Sequence, residues 1–419
     1  NLKYMDCKSI LTALNPSAPE FLDLCDKMGF LVMIDAFDVW KKRKMKNDYH
    51  IDWEENYRRD LRDMVLRDRN HPSVFLWCIG NEIPEQFDSS GITLTQELVQ
   101  LVKEIDTTRP VTSALTETDP EKNFMYQSGA LDILGFNYKH KDWVNFKSKF
   151  QGQIMIASEN MSAYATRGHY DMPSDSVRHW PEKYGDPIIG ANDDYTVSAY
   201  DMVCAFWGAT HEETLKSFYQ TDFLNTLFIW SGFDFIGEPV PYEWPAKNSY
   251  YGIVDLAGFP KDIYYLYQTI WTDTPTLHLF PHWNWEKDQL IDVWAYYNRA
   301  DEVELFLNDQ SVGVKKKDSL DFHVMWRIPF QPGTIKAVSR KNGIKVLEKV
   351  IRTAGKPEKI ALKADRQVIN ADGYDLSFIT VKILDKDDNL VPRAGNLVNF
   401  DISGGGFIAG VDNGYQASH

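Results

Sequence analysis

Short apolar runs alternate with amphipathic stretches over roughly the first two thirds of the chain. The runs are CKSILTA (7–13), FLVMIDA (30–36), VFLWCIG (74–80), PVTSAL (110–115), DILGFNY (132–138), QIMIASE (153–159) and TLFIWSGFDF (226–235). Helical spacing fills the intervals in PEFLDLCDKMG (19–29), WEENYRRDLRDMVLRDRN (53–70), TLTQELVQLVKEID (93–106) and DWVNFKSKF (142–150), and returns in DIYYLYQTIW (262–271). Gly29 stands where a left-handed helix cap is expected. Strands that are apolar almost throughout, each followed by a helix, predict a parallel sheet covered on both faces. A succession of such units favours a (β/α)8 barrel over residues 1–275. Only seven strand patterns are present, so the first barrel strand is expected to lie outside the chain.

Beyond about residue 276 the period changes from helical to two. LIDVWAYYN, EVELFLND, HVMWRIPF, TIKAVSR and KVLEKVIRTAG predict an all-β, immunoglobulin-like sandwich over 276–354. Gly355-Lys356-Pro357 reads as a linker. KIALKADRQVI, DLSFITVKILDKDDNLVP and LVNFDIS then predict strands of a second, incomplete sandwich over 355–419.

Composition narrows the partners. The chain has 419 residues, 43% hydrophobic, with 13 Trp, 21 Tyr and 23 Phe, enough for a large core and for aromatic surfaces that suit sugar C–H faces. A net charge of -15 argues against nucleic acid and anionic membranes. The run Lys41-Lys42-Arg43-Lys44 reads as a solvated loop. Cys7, Cys25, Cys78 and Cys204 are too scattered for a disulfide framework or a zinc site and are read as buried thiols. No stretch has transmembrane length, and no signal peptide opens the chain. The chain starts without Met, in what reads as the middle of a helix, and is expected to be a fragment whose compartment its own residues do not give.

Barrel enzymes carry their chemistry at the C-terminal strand ends. Here those ends deliver Asn81-Glu82, Asn137-Tyr138, Glu159-Asn160, and Trp230 with Asp234 and Glu238 beyond. Counted from the second strand of a barrel, Glu82 ends strand four and Glu159 strand seven, facing each other across the mouth. Two carboxylates across one pocket suit retaining glycoside hydrolysis, with one as nucleophile and one as acid/base. The neighbouring charge raises the pKa of one member, which then holds a proton near neutrality. Each glutamate alone reads equally well as a salt-bridge partner; their joint placement favours catalysis. Trp77, inside its strand, reads as core, and Trp230, near a strand end, as a pocket wall.

NHPSVFLWCIGNE (70–82) resembles the acid/base signature of glycoside hydrolase family 2, the β-galactosidase, β-glucuronidase and β-mannosidase group. DILGFNYKHKDWVNFKSKFQGQIMIASENMS (132–162) resembles its nucleophile region, and LFIWSGFDFIGEPVPYEWPAKNSYYGIVDLAGFPKDIYY (227–265) the strand-eight region of its bacterial β-galactosidase-like members. The resemblance implies that Glu82 is the general acid/base and Glu159 the nucleophile. It implies that Asn81 binds the sugar 2-hydroxyl, Tyr138 contacts the nucleophile and Trp230 walls the subsite, with Asn137 and Asp234 as further substrate-side candidates. It also implies a sugar-binding-like sandwich, an immunoglobulin-like domain and one barrel strand before residue 1, and a periplasmic or secreted bacterial enzyme.

The chain departs from that pattern near its start. CKSILTALNP has Leu11 and Leu14 where the family carries Arg and His, and Asp35 stands one residue away from a usual carboxylate. Leucine cannot donate to a sugar hydroxyl, at about 1–3 kcal/mol for each group left unpaired. The departures leave open altered sugar preference or weakened catalysis.

Other motifs carry less. SGGGFIAGVDNG (403–414) follows a strand, but no helix pattern follows it, as dinucleotide binding requires. The Asn160-Met161-Ser162 sequon overlaps the nucleophile region. Ser158 lacks a nucleophile elbow, His71 reads as a helix-to-strand connector, and the histidines lack metal-ligand spacing, so no catalytic metal is expected. No organic cofactor is required; a structural cation near the acid cluster and homo-oligomerisation are left open. The expected function is a retaining exo-β-glycosidase acting on glycosides or oligosaccharides, foremost a β-galactosidase. The alternatives are a β-glucuronidase, with Lys247 meeting the sugar carboxylate, a β-mannosidase, or a non-catalytic sugar-binding protein on the same scaffold.

Overall fold

The computed structural model describes residues 1–418. Nine strands occupy the first part of the chain: β1 Ser9–Leu11, β2 Leu31–Asp35, β3 Val74–Asn81, β4 Val111–Leu115, β5 Ile133–Asn137, β6 Ile154–Met161, the two-residue β7 Arg178–His179 and β8 Val203–Cys204, and β9 Leu227–Trp230. β1 to β6 and β9 form one seven-stranded sheet in chain order. Every pairing in it is parallel. β9 curls round to meet β1, though no ladder joins those two edges among the described residues. All seven apolar runs are therefore strands of one nearly closed barrel.

The helices are α1 Pro19–Met28, α2 Trp53–Asp68, α3 Ser90–Lys103, the single turn α4 Phe124–Gln127, α5 Trp143–Lys149, α6 His211–Tyr219 and α7 Asp262–Trp271. Gly29 caps α1 with a φ of 71°, as expected. α4 and α6 are not legible as periodic patterns; each depends on a cap, from Asn123 to the Tyr126 N–H and from Thr210 to the Glu213 N–H. The chain's first residues form only a short 3-10 turn, Leu2–Met5.

The barrel strands are apolar on both faces because both are covered. Val32, Ile34, Trp77 and Ile79 pack outward against Leu22, Trp53, Leu61 and Val65 of the helices. Met33, Leu76, Cys78, Ile156 and Phe228 form a separate cluster, against which Leu11 packs. Trp77 is fully buried, as expected for core, with its indole N–H on Asp106 at 3.0 Å. Cys25, Cys78 and Cys204 are buried and Cys7 half-buried, all as free thiols. No described helix is long and apolar enough to cross a membrane.

Seven antiparallel strands follow: β10 Leu277–Phe280, β11 Leu290–Tyr297, β12 Glu302–Leu307, β13 Gln310–Lys315, β14 His323–Pro329, β15 Thr334–Lys341 and β16 Ile344–Arg352. They form two sheets, ordered β10-β11-β14 and β13-β12-β15-β16, around a core that includes Trp283, Val293, Leu305 and Ile335. β13 escaped the sequence pattern because its side chains are exposed or half-buried and show no alternation. Its hairpin turns on Asn308-Asp309, with φ values of 49° and 64° that suit a tight primed turn. Arg327 of β14, on Asp292 at 2.6 Å, and His323, on Glu212 of α6 at 2.6 Å, tie the sandwich together and to the barrel.

The last region is sparser than expected. β17 Lys359–Ala364 pairs with β18 Ile379–Leu384, but LVNFDIS (397–403) is not a strand. A strand exists by pairing, and no described segment offers this one a ladder.

Candidate active site

The C-terminal ends of β3, β5, β6 and β9 bring together most of the expected residues. The Asn81 N–H bonds the Phe37 carbonyl at 2.9 Å, and the next amide, Glu82, bonds Ala114 at 2.8 Å. Glu82 then adopts a φ of 48°, turning the chain out of the strand. Tyr138, Met161 and Ser162, each also just past or at a strand end, have φ values of 56°, 81° and 56°. Left-handed backbone is costly for such side chains and persists where the surroundings impose it.

Asn137 organises the pair of carboxylates. It lies opposite Glu159 in the β5–β6 register. Ser158 Oγ bonds Asn137 Oδ1 at 2.8 Å, which leaves the amide nitrogen to donate to Asn81 Oδ1 at 2.9 Å and to Glu82 Oε1 at 3.1 Å. The next residue, Tyr138, donates its hydroxyl to Glu159 Oε1. The β5 end thus holds one glutamate by each of two consecutive side chains. Ser158 is used up in this network, in keeping with its lack of a nucleophile elbow.

Burial raises the Glu159 carboxyl to about 8, the Glu82 charge adds to the rise, and the Tyr138 hydrogen bond opposes it. Tyr138 remains a phenol, held well above its usual value by burial and then by the charges of Glu159 and Glu82. Its single proton goes to Glu159. Ser162 must therefore donate to Tyr138, at 2.8 Å, while Ser162 Oγ accepts from Trp207 Nε1 at 3.2 Å. Donors run in one direction from Trp207 through Ser162 and Tyr138 to Glu159.

A second acidic group adjoins the first. Asp38 Oδ1 accepts Lys44 Nζ at 2.8 Å and the Asn81 amide at 3.4 Å, and Lys44 also reaches the Asn81 carbonyl at 2.8 Å. Lys44 is thus drawn into the site, where its charge also lowers the Glu159 carboxyl. The solvated reading of residues 41–44 holds for Lys41, Lys42 and Arg43, which are exposed, and fails for Lys44. A charge run cannot show where the loop after β2 returns to the barrel. Glu238 is raised to about 7 by burial, then by Asp38 and Glu82.

Trp230 is only 9% exposed and meets Phe235 and Tyr251 at ring distances of 5.5 and 6.2 Å, an aromatic wall at the end of β9. Asp234 is placed differently from the others. Both its oxygens are taken up by Lys261, at 2.9 and 2.8 Å, the Gly252 N–H at 2.8 Å and the Gln416 amide at 3.2 Å. It braces the loop after β9 from within. Gly252 is required there, since a Cβ would fall 2.0 Å from the Asp234 backbone nitrogen.

Leu11 and Leu14 are half-buried in apolar clusters, Leu14 in the one that holds Trp230, and Leu14 has a φ of 67°. Asp35 is buried with one oxygen unpartnered and is raised to about 7, chiefly by burial. Asn160 is buried with its amide on the Phe228 carbonyl at 3.1 Å. His71 bonds Asp26 at 2.7 Å, a connector as expected. Asp23, Asp26 and His71 form the described grouping with metal-ligand spacing, at the opposite end of the strands from Glu82 and Glu159. Sequence reasoning did not single out Asp38, Lys44, Ser162 or Trp207 as site residues; the overlap of Ser162 with the nucleophile region was the one signal available.

Residues 1–234 match the model for "Glycosyl hydrolases family 2, TIM barrel domain", 288–347 that for "Domain of unknown function (DUF4982)" and 360–419 that for "Glycoside hydrolase family 2 C-terminal domain 5". The chain is 49% identical to beta-galactosidase BoGH2A of Bacteroides ovatus, over 100% of its own length and 52% of the relative's. It is 23% identical to a beta-glucuronidase of Formosa agariphila, covering 95% of the chain and 38% of the relative. A crystal structure of a beta-glycosidase from Bacteroides vulgatus superposes with a TM-score of 0.80 at 32% identity, covering 93% of this chain and 50% of that one. The chain spans about half the length of these β-galactosidase and β-glycosidase relatives.

Proposed function

The chain belongs to glycoside hydrolase family 2, and from that premise we propose that it forms the catalytic part of a retaining, exo-acting β-glycosidase whose preferred sugar is galactose. The observation that carries the reading is the convergence of Glu82 and Glu159 on two consecutive residues at the end of β5, Asn137 and Tyr138. Glu159 attacks the anomeric carbon while Glu82 protonates the departing glycosidic oxygen. Glu82 then takes a proton from the water that releases the sugar from Glu159. Asn81 offers its amide to the 2-hydroxyl, and Trp230 supplies the apolar wall for a sugar face.

The charge of the mouth supports a neutral sugar. Glu82, Glu159, Asp38 and Glu238 influence one another there, and the Lys44 ammonium is already engaged by Asp38. A uronate carboxylate entering such a site meets repulsion. The 49% identity to a protein named a beta-galactosidase points the same way. The packing of Leu11 and Leu14 favours altered sugar contacts over a collapsed, non-catalytic site.

The test is the intact mass of the full-length protein after incubation with a panel of 2-deoxy-2-fluoro β-glycosides, followed by peptide mapping. An adduct on Glu159, fastest with the galactoside, is expected. A faster adduct with the glucuronide moves the substrate to uronides. A folded, sugar-binding protein that forms no adduct with any probe overturns the catalytic reading.

A further inference from the structure

The glycine-rich tail has no place in the chemistry above, yet its end is built into the barrel mouth. Gln416 is fully buried, and each of its side-chain polar atoms is used. Its amide nitrogen donates to the Ala165 carbonyl at 3.3 Å and to Asp234 Oδ2 at 3.2 Å, and its amide oxygen accepts Thr166 Oγ1 at 3.1 Å. Its own carbonyl accepts the Lys247 N–H at 3.0 Å, and the Lys247 carbonyl accepts the Gly237 N–H at 2.8 Å. The neighbouring residues fix the approach. Arg167 Nη2 bonds the Asn413 carbonyl at 3.0 Å, and Tyr415 bonds the Asp194 carbonyl. Gly414 has a φ of 75°, with a Cβ position 2.1 Å from Asp255 Oδ2, so a side chain there would meet the carboxylate that holds Arg167.

Ala165 and Thr166 belong to the loop that leaves β6 after Glu159 and Ser162. Asp234 and Gly237 belong to the loop that leaves β9 after Trp230 and leads to Glu238. We infer that Gln416 is a positioning residue which crosslinks these two loops, so that the tail of the last module helps hold the nucleophile side of the mouth against its aromatic wall. Charged groups around the crosslink are Asp234, Lys261, Asp255 and Arg167. The kinetic part of this inference rests on the glycosidase reading; the structural part does not.

Two variants of the full-length protein test it. Gln416→Met keeps the length of the side chain and removes its three hydrogen bonds; Gln416→Glu keeps the acceptor for Thr166 and loses the donors. For Gln416→Met we expect kcat to fall about ten- to a hundredfold with KM within about twofold. Hydrogen exchange should quicken in peptides covering both 161–168 and 231–238. For Gln416→Glu, kcat relative to the unsubstituted protein should rise as pH falls, because the protonated carboxyl donates again. If Gln416→Met does not fold, Gln416→Glu decides by exchange. Unchanged exchange in the two peptides, or quickening in one alone, overturns the crosslink. Quickened exchange with unchanged kcat overturns the positioning role. If the unsubstituted protein turns over no glycoside, the glycosidase reading falls and exchange still decides the crosslink.

Discussion

Tyr138 gives its only hydroxyl proton to Glu159, although the two leave different strands, β5 and β6. The same two residues are joined by backbone, Tyr138 N–H to the Glu159 carbonyl at 2.6 Å. The double link fixes the carboxylate against the sheet and stabilises its ionised form, the form that the proposed mechanism requires of Glu159. Tyr138→Phe should therefore move the acid limb of the kcat/KM profile upward by about one pH unit or more, since a hydrogen bond to a charged group is worth about 1.5–3 kcal/mol. The profile measured beside the unsubstituted enzyme is the check; an unmoved acid limb would show that the hydroxyl does not tune Glu159.

Ser162 supports that hydroxyl by donating to it. Ser162→Ala should shift the profile in the same direction by less, and the double substitution with Tyr138→Phe should add little. Independent effects in the double-mutant cycle would separate Ser162 from the relay.

Glu82 is assigned the proton-donating role. Glu82→Ala should lower kcat about 10²–10⁴-fold on alkyl glycosides, with less loss of the first step on nitrophenyl glycosides, whose leaving group needs no proton. Azide should restore turnover and yield a β-glycosyl azide, seen by mass and NMR. An azide product of inverted configuration would contradict the double displacement.

Most of the barrel was legible because a parallel strand buried on two faces must read as a continuous apolar run. The ends of those runs then gave Asn81, Glu82, Asn137, Tyr138 and Glu159 by position alone. Lys44, Asp38 and Trp207 were not legible because they lie on loops whose return paths depend on contacts distant in sequence. Asp234 was named from the right strand end, but the sequence could not show that Lys261, 27 residues on, would turn it inward. β13 and LVNFDIS failed in opposite ways: one pairs without an alternating pattern, the other has the pattern without a partner.

Asp234 and Lys261 are both fully buried at their side chains. Removing one partner of such a pair costs about 3–5 kcal/mol, because the other charge is left without compensation. Lys261→Met and Asp234→Asn should therefore each lower Tm, and the double variant should recover part of the loss. A raised KM with Tm unchanged in Asp234→Asn would instead make Asp234 a sugar ligand.

Asp35 gives a pH-dependent stability of known sign. Burial lifts its carboxyl from 3.8 to about 7, so between those values the folded chain keeps a proton that the unfolded chain releases. Its contribution to stability therefore declines as pH rises through that window and is level above it. Asp35→Asn should remove that slope and leave the variant a few kcal/mol more stable relative to its parent at pH 8 than at pH 4. Denaturant titrations at the two pH values measure the difference, and parallel curves would sink the idea.

The buried amide of Asn160 bears on how the protein can be produced. It sits in a sequon that a eukaryotic secretory pathway recognises on the nascent chain, before the barrel exists. Once folded, the same nitrogen faces the Phe228 carbonyl, one residue from the proposed nucleophile Glu159, with no room for a glycan. In such a host, modification and folding compete for one atom, and each chain glycosylated there is lost to the active population.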